Sequence, residues 1–241
     1  MPTYPMTEEP IELPIGGVRT LIRDLGGEEN PGSPPYPYTG ALRLSRGEKQ
    51  ATIWVHGGIM YSAHLDGYNP PVALRLKTAR FLNDDQFSQL QAVPSGDAGP
   101  EAVDRNWVPA YIVEELHREI MLSTLSHLYD WNDAQWWWEE DETTDLYVTS
   151  GLPLMLASAA VDERIGQWKA VTRAYPHVVQ PKAIPYPGPS WNKRDITIIT
   201  PEMESLLACI NGQNSISQIP SLCGLTRFEI AKILSQTVAV G

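Results

Sequence analysis

Few residues in the sequence have the types and spacing that catalysis or metal binding requires. Glu114 and His117 form one Glu-x-x-His pair, a spacing that places both side chains on one face of a helix. A carboxylate-bridged di-metal site needs two such pairs and further glutamates, and His127 has no matching glutamate. His56 and His64 flank predicted turns, where histidines are usually solvated. We therefore predict no catalytic residue, no metal site and no cofactor.

The chain also lacks the short motifs of common enzyme classes. It contains no GxGxxG, Walker, GxSxG or HExxH sequence. Its two cysteines, Cys209 and Cys223, are too few for a disulfide framework and lack CxxC spacing. We interpret both as small reduced core residues. A non-enzymatic protein is the resulting prediction, and an enzyme of another class is the weakest hypothesis.

Charge argues against general binding of nucleic acid or of an anionic membrane. The 241 residues include 29 Asp+Glu and 18 Lys+Arg, for a net charge of −11. Residues 130–145 carry seven of the acids and no base, which is typical of a solvated edge; weak attraction of a basic partner or a divalent cation is the alternative. With no signal-peptide pattern and no apolar stretch of membrane-spanning length, we predict a cytoplasmic protein without membrane contact.

The hydrophobic patterns predict an α+β fold, in which a small antiparallel meander packs with helices. A C-terminal tri-helical module resembling a helix-turn-helix follows the meander. Residues 92–106, polar and rich in Gly and Pro, are predicted as a loop or insertion. The predicted strands are 41–44, 51–55, 59–63 and 134–138, and the predicted helices are 15–25, one that opens at 69–71, 109–129, 152–175, 200–210, 216–222 and 228–234.

The helix predicted over residues 152–175 carries the most regular apolar stripe. Residues seven apart, with others four positions on, suit a seam between two helices. A helix that packs on its own sheet would show nearly the same stripe, so an internal core and a dimer or partner seam both remain open. The seam residues are Leu154, Val161, Ile165, Trp168, Thr172 and Tyr175.

The three C-terminal helices match the spacing of a helix-turn-helix. Counted from Gly224 as the turn glycine, residues Ile219, Leu225, Ile230 and Ile233 fall where such units bury apolar side chains. Basic residues are few here, so DNA contact is the secondary hypothesis, and protein docking or a purely structural role is the first. The candidate DNA contacts are Arg194, Thr226, Arg227 and Lys232.

The order of these short segments resembles the PATAN (PatA N-terminal-like) domain of bacterial regulatory proteins. The resemblance covers residues 15–241, and the C-terminal helical module, with residues 211–216 before it, resembles the winged-helix-like unit that often follows that domain. The segments that carry it are Thr39-Gly40-Ala41-Leu42-Arg43-Leu44, Ala51-Thr52-Ile53-Trp54-Val55, Gly57-Gly58-Ile59-Met60-Tyr61-Ser62-Ala63, Trp131 to Trp138, Asp162 to Trp168 and Asn211 to Ile216.

This resemblance implies a non-enzymatic role in bacterial signal transduction through protein–protein contacts. It implies signalling or small GTPase modules as partners, and the helix at 152–175 adds a homodimer as an expectation. The alternative is a DNA-binding transcriptional regulator that uses the C-terminal module. The predicted organisation is a flexible arm (1–14), a PATAN-like α+β domain (15–175), a Pro-rich basic linker (176–194) and a winged-helix-like tri-helical module (195–241).

Overall fold

The protein has an α+β fold, as the sequence predicts. This computed structural model describes residues 9–26, 38–93, 98–144, 151–176, 180–186 and 199–239. Its strands are β1 (Ile11–Glu12), β2 (Gly40–Arg46), β3 (Lys49–His56), β4 (Ile59–Leu65), β5 (Gln135–Glu140) and β6 (Leu152–Pro153). Its helices are α1 (Gly17–Leu25), α2 (Val72–Thr78), α3 (Asp84–Gln91), α4 (Ala98–Asp104), α5 (Ala110–Leu128), α6 (Leu154–Ala174), α7 (Pro201–Cys209), α8 (Ile219–Cys223) and α9 (Arg227–Ala239).

The strands form one antiparallel sheet in the order β1-β5-β2-β3-β4-β6. Two tight hairpins join β2 to β3 and β3 to β4. Gly47 turns the first at φ +62°, and Gly57 and Gly58 turn the second at φ +57° and +78°, where residues with a Cβ are disfavoured. Strand β5 comes much later in the chain and pairs with β2 on the other side of the meander.

Packing divides the chain into two compact units, and each is assembled from two separate segments. Unit 1 comprises Met1–Asn69 with Glu114–Ile165, and unit 2 comprises Pro70–Val113 with Gly166–Gly241. The predicted boundary at residues 176–194 stays a prediction. Unit 2 nevertheless shows that α7 and α8 pack on α2, a helix far earlier in the chain.

The core of unit 1 lies against one face of the sheet. Leu42 is paired with Ile53 on one side and with Trp138 on the other, and all three side chains are at most 3% exposed. Because side chains alternate along a strand, the residues two positions apart face the same core. Helices α1, α5 and α6 cover this face with Val18, Leu21, Ile22, Leu25, Met121, Leu125, Leu128, Leu154, Ala157 and Val161.

Unit 2 has its own core around α7, α8 and α9. Leu206, Ile219, Leu225 and Ile230 are each fully buried there. Backbone hydrogen bonds attach part of the predicted linker to this core, since the N–H of Ile216 donates to the carbonyl of residue 183 at 2.9 Å. Within the described part of residues 176–194, segment 181–186 therefore lies alongside the helices.

Several predicted elements need correction. Residues 98–104 form α4 rather than a loop, and α3 has no counterpart in the prediction. Helix α8 covers Ile219–Cys223, three residues later than predicted at its start. Strands β1 and β6 were not predicted, because two residues are too few to show a period. Of the predicted arm 1–14, residues 1–8 lie outside the described residues, while β1 pairs with β5. Among the described helices, none is long and apolar enough to cross a membrane.

Gly224 provides a test of this packing. It has φ +70°, and a Cβ there would lie 2.7 Å from the backbone nitrogen and 2.9 Å from the Cα of Arg75. We expect Gly224→Ala to lower the free energy of unfolding by about 3 kcal/mol, because neither backbone moves easily. Urea titration followed by circular dichroism measures this loss.

The matched control is Gly166→Ala, inside α6. A Cβ at Gly166 meets nothing within 4 Å, so this variant is expected to raise the free energy of unfolding by about 0.5–1 kcal/mol. Equal midpoints for Gly224→Ala and wild type would contradict the close approach of the turn to α2.

Candidate functional site

The histidines singled out by sequence are not brought together. His117 lies on α5, is 9% exposed, and its Nε2 is buried without a hydrogen-bond partner; burial lowers its pKa. His56 pairs with Ile59 while His64 pairs with Thr52, four residues apart along β3, or about 13 Å at the usual strand rise. Across the described ranges, no three His, Cys, Asp or Glu side chains are grouped as metal ligands would be.

Part of the acidic run is used inside unit 1. The Arg43 guanidinium donates to Glu139 at 2.8 Å, to Glu142 and to the Thr52 hydroxyl at 2.7 Å. Burial alone would raise the pKa of Glu139, but the Trp137 indole N–H and Arg43 outweigh it and lower that pKa. The solvated-edge interpretation is therefore incomplete, because two of these carboxylates neutralise a half-buried arginine on the sheet.

The first half of the predicted seam on α6 lies in the core. Leu154 is 3% exposed and Val161 is fully buried, and Ile165 packs against the same cluster. In this structure these side chains face the sheet of their own unit, an arrangement that corresponds to the internal core and not to a seam between two chains. Leu154 and Val161 are therefore not on the surface of unit 1, and Ile165 is partly buried.

The second half of the seam is half-buried in unit 2. The ring of Trp168 lies 6.4 Å from the ring of Phe228, tilted by 38°. The Thr172 hydroxyl donates to the carbonyl of Lys169 at 3.1 Å, and Tyr175 follows the last turn of α6 with its N–H on Val171. The six predicted residues are thus divided between the two units rather than forming one exposed stripe.

Three residues of unit 1 that present apolar surface lie next to these positions, apart from the exposed Ile15 before α1. Ile59, Met155 and Leu156 are 43%, 48% and 53% exposed, and we call them the β6-edge patch. Ile59 pairs with Pro153 of β6, and the N–H of Leu154 donates to the carbonyl of Gly58 at 3.0 Å. These bonds hold the start of α6 against the first residues of β4.

Sequence reasoning missed this patch because it assigned the apolar residues of α6 by the strongest stripe. The available signal was the adjacent pair Met155-Leu156 directly after Pro153, since two consecutive residues of a helix cannot both face a core that already takes Leu154. The sequence predicts Ile59 as a strand residue, and its exposure depends on its place as the first residue of β4.

The helix-turn-helix geometry is present in unit 2. Gly224 ends α8 in the left-handed region, and Ile219, Leu225 and Ile230 are fully buried, with Ile233 partly buried against the same cluster. The shape that the glycine spacing predicts is therefore observed. Surface chemistry at the start of α9 is a separate matter.

The predicted DNA contacts occupy different environments. Thr226 is 3% exposed, and both its N–H and its hydroxyl bond to Glu229, at 2.8 and 3.1 Å. Arg227 is half-buried and Lys232 is exposed. Arg194 lies outside the described residues. Of the positions described, only Lys232 presents an exposed cation.

Helix α2 holds the N-terminal end of α9 through a buried arginine. Arg75 is 8% exposed; one guanidinium nitrogen bonds Glu229, and the other lies 3.9 Å from Glu202. Glu229 also accepts from the N–H of Thr226, and the Thr226 hydroxyl accepts from the N–H of Glu229, so the two residues cap α9 reciprocally. The same Glu229 carboxylate neutralises Arg75. Thr78 adds a hydrogen bond to the carbonyl of Cys223 at 2.6 Å.

This contact is unfavourable for phosphate binding at the start of α9. The N-terminal end of a helix attracts anions, but the Glu229 carboxylate already lies there. A phosphate would have to displace that carboxylate or approach beside it. The placement of Thr226 and Glu229 therefore argues against DNA contact by the first turn of α9.

Comparison of the chain with protein-family models, with curated proteins and with solved structures gives no match. The resemblance to the PATAN family thus stays a prediction that depends on the order of the segments quoted above.

Removing the Arg75 guanidinium should destabilise unit 2. Arg75→Met leaves the Glu229 carboxylate without its buried partner, and we expect the free energy of unfolding to fall by about 3 kcal/mol. The control is Arg80→Met, since the Arg80–Glu204 ion pair has side chains 66% and 62% exposed and contributes at most about 1 kcal/mol. Urea titration of the two variants compares their losses of unfolding free energy. Equal losses in Arg75→Met and Arg80→Met would show that Arg75 does not anchor α9.

Proposed function

We propose that this protein is a non-enzymatic regulatory protein that binds another protein through the β6-edge patch of unit 1. The observation that carries the proposal is the exposure of three large apolar side chains, Ile59, Met155 and Leu156, beside an edge strand. Exposed apolar side chains cost free energy in water, and their burial in a complex would recover part of that cost.

The edge itself favours side-chain docking over addition of a partner strand. Strand β6 has two residues, and one of them, Pro153, has no N–H to donate. Short edge strands that contain proline resist pairing with a further strand. A partner would therefore meet the side chains of Ile59, Met155 and Leu156 rather than extend the sheet.

We take a different protein, rather than a second copy of the chain, as the occupant of this patch. The predicted dimer seam supplies its strongest apolar residues, Leu154 and Val161, to the core of unit 1. Those residues cannot then contact a second copy without opening the sheet's own core. A homodimer through the exposed patch is the other outcome of the experiment below.

A charge on the patch should weaken partner binding. Tagged protein from the native host is used to identify bound proteins by mass spectrometry, and the dissociation constant of the purified partner is then measured. We expect Leu156→Glu to weaken binding by at least about tenfold, because a carboxylate would be desolvated in the contact. The side chain is half-exposed, so the fold should tolerate the change.

Leu222→Glu is the matched control, because Leu222 is 48% exposed and lies in unit 2. It should leave the dissociation constant within about twofold of wild type, well inside the scatter of surface substitutions. Equal dissociation constants for wild type and Leu156→Glu would contradict the proposal. Light scattering distinguishes a homodimer from binding of a different protein. A homodimer would have twice the 26.8 kDa chain mass, and Leu156→Glu would return it to the monomer mass.

The second candidate function is DNA binding by α7–α9, favoured by the helix-turn-helix geometry around Gly224. Exposed Lys232 would contact phosphate, and the first turn of α9 would not. If this candidate holds, duplex DNA binds at about 50 mM salt and Lys232→Gln weakens the complex while reducing its salt dependence. Absence of binding in fluorescence anisotropy at that salt concentration would exclude it.

A further inference from the structure

The chain's two cysteines lie in the same core cluster of unit 2. Cys209 is the last residue of α7 and Cys223 is the last residue of α8. Both contribute to the core cluster of α7, α8 and α9. Both are free thiols; Cys223 is buried, and Cys209 is partly buried against the same cluster. The packing of α7 on α8 therefore places in one small core two thiols that the sequence separates.

We propose that Cys209 and Cys223 form a reversible disulfide within one chain when they meet a low-molecular-weight disulfide such as oxidised glutathione. The argument starts from access. Cys209 is half-buried and can be reached from solvent, whereas Cys223 is 2% exposed. An oxidant thus reacts first at Cys209, and the buried neighbour completes the reaction.

The two steps balance without another reactant. The Cys209 thiol loses its proton, its sulfur bonds one sulfur of oxidised glutathione, the S–S bond of that molecule breaks, and one glutathione leaves and takes up a proton. The Cys223 thiol then loses its proton and attacks Cys209 Sγ, which releases the second glutathione. Two protein thiols are oxidised, and one disulfide is reduced to two thiols.

Burial makes this reaction slow at neutral pH. It raises the pKa of Cys209, and it raises the pKa of Cys223 to about 12. Only the thiolate attacks a disulfide, so the rate should rise about tenfold per pH unit below these pKa values. The pair would stay reduced during brief exposure to oxidant and close under sustained or alkaline exposure.

Closure would act on the turn that joins α8 to α9. The carbonyl of Cys223 accepts a hydrogen bond from Thr78, and the next residue, Gly224, contacts the backbone of Arg75. A bond from Cys209 to Cys223 would tie the end of α7 to this turn. The disulfide would thereby restrict movement of α8 relative to α7 in the module whose surface holds Lys232.

The experiment treats the full chain with oxidised glutathione at several pH values and measures intact mass after acid quenching. Wild type should lose the mass of two hydrogen atoms and retain no glutathione. Cys223→Ser should keep one glutathione on Cys209, because no second thiol can displace it. Cys209→Ser should react at least about tenfold more slowly, since its remaining thiol is buried.

Repeating the reaction in urea tests whether the fold brings the thiols together. The ratio of intramolecular disulfide to mixed disulfide measures the effective concentration of one thiol at the other, and we expect it to be at least about tenfold higher in the native protein. An equal or lower native ratio, a stable glutathione adduct on wild type, or a disulfide between chains would each overturn the proposal. The assay is independent of the β6-edge patch, so Leu156→Glu should close its disulfide like wild type.

Discussion

Burial of one face of the antiparallel sheet is the constraint on which the rest of unit 1 depends. Because side chains alternate along each strand, a shift of one residue would exchange the buried and the outer faces of the whole strand. Leu42 between Ile53 and Trp138 holds the register against that shift. The same register places Arg43 on the other face beside Glu139 of β5, and Glu139 and Glu142 neutralise it there. The charge pattern of the outer face thus follows from the packing of the inner one.

A buried charge has the corresponding role in unit 2. Arg75 cannot remain in an apolar environment without a partner, and Glu229 meets this requirement at the start of α9, where the Thr226 hydroxyl accepts from the Glu229 N–H and caps the helix. Gly224 permits the approach, because a residue with a Cβ would collide with the backbone of Arg75. The same contact fills the N-terminal end of α9 with a carboxylate. A stabilising interaction thereby makes this helix a poorer ligand for phosphate than its helix-turn-helix shape suggests.

These two packing solutions determine which surfaces are left for a partner. Unit 1 uses Leu154 and Val161 of α6 for its core, and Met155 and Leu156 remain at the surface together with Ile59. The proposed function follows from that remainder. The cysteine pair arises in a similar way, since Cys209 and Cys223 belong to the core cluster that buries Leu206 and Ile219. Both proposals concern side chains whose positions follow from the burial of neighbouring residues.

The sequence by itself determined the elements whose patterns are local. Short strand-type runs between glycine-containing turns predict β2, β3 and β4, Thr200-Pro201 predicts the start of α7, and the spacing around Gly224 predicts the turn before α9. The structure contains each of them. Strands β1 and β6 are too short for any period, and a stripe such as that of α6 is the same whether its partner is a sheet or a second helix. Arg75 offers no local sign of burial, because its environment is made by α7 and α9, more than a hundred residues away. Tertiary structure alone decided these points, since they depend on which distant surfaces meet and exclude water, and a local pattern records only that a surface is apolar.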